Sequence, residues 1–205
     1  AGNCLIKTQS KTLLLGCKSS IIPDDGSVTS IGVDAFSNCT GLTSIVIPDS
    51  VTEIGWGAFR GCTGLKEIEI PTSVTSIGAD AFRACTGLTN IVIPGSVTEI
   101  GGGAFVFCTG LTRVVILDGV TSICNSMFAE CTGLESIVIP DSVTIIGGSA
   151  FDGCTALKSV VFENPEGWVA EGNEVSSEDL SDPAVAASLL AGEHAYYGRW
   201  ERYEW

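Results

Sequence analysis

The apolar positions of this chain follow neither a helical period nor a strand period but a longer one. In one stretch they fall at Val51, Ile54, Phe59, Cys62, Leu65, Ile68 and Ile70, and they resume at Val74. The steps run 3, 5, 3, 3, 3, 2 and 4, returning to the same phase after 23 residues. Phenylalanine keeps that step six times, at Phe36, Phe59, Phe82, Phe105, Phe128 and Phe151, and so does cysteine, at Cys39, Cys62, Cys85, Cys108, Cys131 and Cys154. A strict repeat of roughly 20–50 residues marks a stacked architecture, in which each unit buries its apolar face against the next. Only Leu-x-x-Ile-x-Ile alternates as a strand does, while the other apolar positions suit the corners of a coil. Stacked coils set those strands side by side as a parallel sheet, about 4.8 Å apart.

The polar and special residues of the unit fit the same coil. Pro48, Pro71, Pro94 and Pro140 follow the strand and stop it, having no N–H for a ladder. Val-Thr-x-Ile, as at Val51–Ile54, can add a second short strand. Gly32, Gly55, Gly78, Gly101 and Gly147 mark a place that needs either positive φ or a close backbone approach. Ala-Phe-x-x-Cys makes about one helical or 3₁₀ turn, with Phe and Cys on its inner side. The fourth and fifth units depart from this pattern at Leu117, Gly119, Cys124 and Met127. These departures read as compensated drift in the core, with Met127 filling space beside Cys124, the alternative being a local irregularity that serves a ligand.

Leu-x-x-Ile-x-Ile-Pro followed by Val-Thr-x-Ile-Gly, Ala-Phe and Cys resembles the BspA-like, treponemal-type leucine-rich repeat. The resemblance covers residues 28–162. It implies a curved right-handed α/β solenoid of six repeats with its parallel sheet on the concave face. It further implies a secreted or cell-surface placement in host-associated microbes, an adhesive or recognition role, and no enzyme activity. The stretch from Asp182-Pro183 to Tyr196-Tyr197-Gly198-Arg199-Trp200 is similar, more loosely, to the tail of some secreted members.

The flanks divide the chain into 1–23, 24–162 and 163–205. The first segment sets two short apolar runs, Cys4-Leu5-Ile6 and Leu13-Leu14-Leu15, around a polar tip, and is expected to be a hairpin cap on the first repeat. A turn near Ser10-Lys11 makes Cys4 and Cys17 cross-strand neighbours and a candidate disulfide. In the last segment, Glu163 to Glu178 reads as an irregular acidic connection. Ser181-Asp182-Pro183 then signals a helix start, with a helix running through Ala184–Ala191. Tyr196, Tyr197, Trp200, Tyr203 and Trp205 are expected to complete a carboxy-terminal cap, the alternative being a binding site in this acidic, aromatic tail.

Charge narrows the function. The chain carries a formal net charge of −14, which disfavours nucleic acid and anionic membranes as partners. Residues 163–205 hold ten acidic side chains against Arg199 and Arg202, a net of −8. No apolar run approaches the roughly 18–20 residues of a membrane span. The nine cysteines never form a C-x-x-C pair, and a line of one per coil reads as core thiols rather than a zinc site. The single histidine, His194, supplies no triad or metal set. Neither a cofactor nor an enzyme activity is expected.

What remains is the outward side of the strand. Because Leu42, Ile45 and Ile47 point inward, one outward column comprises Val46, Glu69, Val92, Val115, Val138 and Val161. Beside it lie Glu67, Asn90 and Arg113 among serines. A valine stripe flanked by varied polar residues is the candidate surface for binding a host or neighbouring-cell protein, with the chain itself expected to be a monomer. The alternative is a structural spacer that presents other domains of a longer surface protein.

Overall fold

The structure, a computed structural model, describes residues 3–191 and 198–203. His194, Tyr196, Tyr197 and Trp205 lie outside the described residues. Starting each repeat at its Val-Thr pair, repeats one to six begin at Val28, Val51, Val74, Val97, Val120 and Val143. In chain order the first elements are β1 (Leu5–Lys7), β2 (Thr12–Leu15), β3 (Ser30–Ile31), β4 (Glu53–Ile54), β5 (Ser76–Ile77) and β6 (Asn90–Ile93). There follow β7 (Glu99–Ile100), β8 (Arg113–Ile116), β9 (Ser122–Ile123), β10 (Ser136–Ile139), β11 (Ile145–Ile146) and β12 (Ser159–Phe162). The chain closes with β13 (Trp168–Ala170), β14 (Asn173–Glu174), α1 (Ser177–Ser181), α2 (Pro183–Ala191) and β15 (Trp200–Arg202).

The expected coil is present. The Val-Thr-x-Ile segments form a short strand in every repeat, and β3, β4, β5 and β7 pair in parallel with Ile31, Ile54, Ile77 and Ile100 in register. The glycine after each strand extends this ladder, as where Gly78 N–H donates to Ile54 O at 2.7 Å. None of Gly32, Gly55, Gly78, Gly101 and Gly147 has positive φ. They are glycine because the coils touch there: a Cβ on Gly78 would sit 2.5 Å from the Trp56 nitrogen, and one on Gly101 2.1 Å from that of Ala79. Positive φ falls instead at two other places in each unit, the columns that begin with Asp34 and Asn38.

The long strands are less regular than the repeat predicts. They pair over all four residues between β6 and β8 and again between β10 and β12, but only at Arg113–Ser136 between β8 and β10. Among the described residues, 44–47 and 67–70 form no strand at all. Proline explains the pattern. Leu117 donates its N–H to Ile93 O at 3.0 Å and Glu163 to Ile139 O at 3.0 Å, each closing a fully paired ladder. Pro71, Pro94 and Pro140 stand at the same place in the other repeats and have no N–H to give, so their ladders open at that end.

The core is a column. The six phenylalanine rings stack with centroids 5.1, 5.3, 5.1, 5.7 and 5.7 Å apart. Neighbouring Ala-Phe turns are laced together by backbone bonds such as Phe36 N–H to Ala58 O at 2.7 Å. Stacked pairs of this kind add about 0.5–1.5 kcal/mol each beyond their buried area.

One interface between coils differs from the rest. Ser50, Ser73, Ser96 and Ser142 each donate a hydroxyl hydrogen bond to a valine carbonyl of the preceding coil, at 2.7–2.8 Å. Gly119 stands in that column with no hydroxyl to reach Val97. Cys124 replaces the close-approach glycine, and the short-strand ladder is broken there: β7 ends one sheet and β9 begins another. The Cys124 thiol, not its N–H, meets Ile100 O, at 2.7 Å. Between repeats four and five the serine bond and the short ladder are therefore missing, and the long ladder is reduced. Met127 is fully buried as expected, but the changes around it alter the lateral bonding as well as the packing.

At the two ends, β1 pairs antiparallel with β2, and β2 pairs parallel with β3. Cys4 and Cys17 are not joined in a disulfide; both are thiols. The strand register sets Leu5 opposite Leu15, with a bulge after Leu5. Beyond these strands the Cys4 thiol faces Ile21 O at 3.6 Å while that of Cys17 lies 3.5 Å from the Ser19 hydroxyl. At the other end, the stretch expected to be irregular after Glu163 holds β13, β14 and α1. Trp168 draws it inward: the indole is fully buried, meeting Phe162 edge-on at 5.3 Å, while Trp200 stacks on the same ring at 6.5 Å. β15 runs antiparallel to both β11 and β13. Asp182 caps α2 by accepting from Ala184 N–H at 2.9 Å, with Pro183 as its first residue.

Candidate functional site

The outward side chains of the long strands share one face. Val46 is 82% exposed, and Val92, Val138 and Val161 are also exposed. Val115 is half-buried. Glu67, Glu69, Asn90 and Arg113 are exposed between them. The inward partners of these residues, Ile68, Ile70, Ile91 and Ile93, are buried, which fixes the alternation that turns the column outward.

The nine candidate residues do not form one site. Val46, Glu67, Glu69, Asn90 and Val92 line a common groove of about 700 Å³ across repeats one to three. Asn90 and Val92 continue into a neighbouring depression with Arg113 and Val115. Val138 and Val161 lie further along the face and enter neither.

The groove lies where the long strands are unpaired. With the ladder open, Ile45 and Ile68 are each 8% exposed, against 1% for Ile91. Both isoleucines reach the groove's surface.

Sequence reasoning missed the groove's rim, which includes Thr72, Pro94 and Leu117. The signal was present in Leu117, a leucine where the pattern has proline. Read as drift in the core, it is 43% exposed.

The face offers a varied surface rather than a catalytic arrangement. The ion pairs of the described residues lie elsewhere, at Arg60–Asp34, Arg83–Asp80, Arg199–Glu201 and Arg202–Asp141. Among the described residues no three His, Cys, Asp or Glu side chains converge as a metal ion needs, and no helix is long and apolar enough to cross a membrane. The repeat thiols are not nucleophiles in waiting: burial pushes Cys62 up to about 12 from an ordinary 9.0.

Comparison with known proteins matches this geometry. The model of the BspA type leucine-rich repeat region matches residues 15–135 and 121–166, in 6 copies. No curated protein matches the sequence. Among solved structures, a leucine-rich cell surface protein from Faecalibacterium prausnitzii A2-165 is 31% identical over 83% of this chain and 55% of its own, with a TM-score of 0.57. The leucine-rich repeat protein of T. pallidum is 28% identical over 76% of this chain and 87% of its own, with a TM-score of 0.56. The pneumococcal vaccine antigen PcpA is 28% identical over 75% of this chain and 40% of its own, also with a TM-score of 0.56. The chain thus spans about half the length of several relatives that it matches.

Proposed function

The chain belongs to the family of BspA-type leucine-rich repeat proteins, and from that premise we propose that it is a non-enzymatic protein-binding module. It is secreted or displayed at a cell surface, and it engages a host or neighbouring-cell protein through its long-strand face. The observation that carries this reading is the exposed column Val46, Val92, Val138 and Val161 on an otherwise acidic chain. An apolar stripe flanked by polar residues of varied type is what an interface core with a polar rim requires. The surface placement draws support from relatives described as a cell surface protein and as a vaccine antigen.

The test is a binding screen of the purified chain against extracellular-matrix, plasma and mucosal proteins, with a Val92→Lys/Val138→Lys variant alongside. Both valines are exposed, so the variant is expected to fold and to lose the partner. A partner retained at full affinity by the folded variant removes the long-strand face from the proposal. A second reading, a spacer presenting other domains, is favoured by the chain's spanning only 55% and 40% of two of its relatives. It gains if no extracellular protein binds at micromolar concentration.

A further inference from the structure

Within that face, the groove over repeats one to three, with Leu117 of repeat four on its rim, has chemistry of its own. Beyond Lys66 N–H to Thr43 O at 3.1 Å and Thr89 N–H to Lys66 O at 3.4 Å, no backbone hydrogen bond joins 67–70 to the stretch on either side among the described residues. Residues 67–70 thus lie between two coils without a regular ladder to either, and it is their outward side chains that face the groove. Val46, Val92 and Leu117 offer exposed apolar surface. Glu67 and Glu69, two residues apart and on the same side of the chain, bring two carboxylates into the groove, and neither has an ion-pair partner among the described residues.

We infer that this groove takes an extended polypeptide segment carrying a lysine or arginine between aliphatic residues. The inference rests on the protein-binding reading and names the partner's chemistry. In an extended segment side chains two residues apart share a face, so aliphatic and cationic side chains can enter the groove together. Its aliphatic side chains, alternating to one side, meet Val46, Val92 and Leu117. Its cation, on that same face, meets the two carboxylates, neither of which has an ion-pair partner among the described residues. The formal net charge of −14 steers cationic segments toward the chain and turns acidic ones away.

The test uses a fluorescein-labelled decapeptide in which valine and lysine take turns at every second position with serine between them, so that both share one face of the extended chain, with its glutamate-for-lysine counterpart as the opposite-charge control. Anisotropy is read on the full chain and on two double variants of equal charge change: Glu67→Gln/Glu69→Gln in the groove, and Glu174→Gln/Glu178→Gln in the tail. Circular dichroism confirms that each variant is folded. The lysine peptide is expected to bind at least tenfold more tightly than its counterpart. The groove variant should weaken it about tenfold and the tail variant less than twofold. Equal weakening by both variants would mean general attraction to an acidic protein and would overturn the inference, as would equal affinity for the two peptides or no binding at millimolar peptide. If a partner from the screen is lost by Val92→Lys/Val138→Lys but kept by Glu67→Gln/Glu69→Gln, the face remains the binding surface and the cationic segment is refuted.

Discussion

The Cys62 thiol donates to the main-chain carbonyl of Phe36, 3.1 Å away in the coil before it. The same bond recurs from Cys85 to Phe59, Cys108 to Phe82, Cys131 to Phe105 and Cys154 to Phe128, at 3.1–3.3 Å. This explains the residue type. The position needs a group small and apolar enough for a corner of the core, with a donor for a carbonyl that faces it from the preceding coil. Cys85→Ala removes the sulfur and its bond together and is expected to lower unfolding stability by about 1–2 kcal/mol. Urea denaturation checks it, and an unchanged midpoint would show that the thiols merely fill space.

Burial holds these thiols protonated in the folded chain. Cys62 and Cys154 are pushed up to about 12 from 9.0, and burial also pushes Cys85, Cys108 and Cys131 well up. An acid whose folded pKa is raised contributes stability that is fully present below its unfolded value. It is lost as pH rises above that value, because the unfolded chain sheds the proton first. Urea midpoints should therefore fall between pH 9 and about 12, and a Cys85→Ala/Cys108→Ala variant should show a shallower fall. Parallel pH profiles for the two proteins would refute this. Cys17, lowered first of all by the hydrogen bond from the Ser19 side chain, should be alkylated ahead of the row.

Two backbone positions should respond in opposite directions to alanine and glycine. Gly78→Ala sets a Cβ against the Trp56 backbone and is expected to cost about 1–3 kcal/mol, since the facing atoms cannot swing aside. Ala84 already holds φ of +56°, so Ala84→Gly should gain about 0.5–1 kcal/mol by removing a strained Cβ. Thermal melts of the pair decide the matter: if both substitutions destabilise, the second column is held by its side chains and not by its backbone shape.

Leu117 is the simplest probe of the proline effect on the long strands. Leu117→Pro deletes the N–H bonded to Ile93 O. Hydrogen exchange at 114–116 should then accelerate toward the rate at 68–70, while the amides of β5 and β7 stay protected. Exchange that remains slow at 114–116 would mean that something other than the missing N–H opens the earlier strands.

Much of this was legible in the sequence, and the exceptions have physical reasons. The period, the inward set and the outward valine column follow from spacing, because side-chain direction in a coil is fixed by which positions are apolar. The glycine column could be placed but not explained. Close approach and positive φ both select glycine, and only the position of Trp56 against Gly78 separates them. The groove was illegible because it lies where a bond is absent: the prolines looked like strand stops, whereas Pro71, Pro94 and Pro140 also have no N–H to give the strand beside them. Leu117, read as core drift, and the stretch around Trp168, read as an irregular connection, were misjudged for a related reason. Each breaks a local pattern, and whether such a residue turns inward or outward is decided by a neighbouring coil rather than by its own segment.

The interface between repeats four and five has a mechanical consequence. Stacked repeats hold together by nearest-neighbour terms, and here the serine bond and the short ladder are missing and the long ladder is down to one pair, leaving the phenylalanine stack, the turn bonds and the thiol bonds of Cys124 and Cys131. The rod is therefore two blocks of unequal length meeting at a fracture plane. Drawn out by its ends, as a tether between two surfaces would be, it should part there before anywhere else among its repeats. The acidic groove lies wholly on the longer block, so a molecule stretched that far would keep its hold on whatever the groove carries.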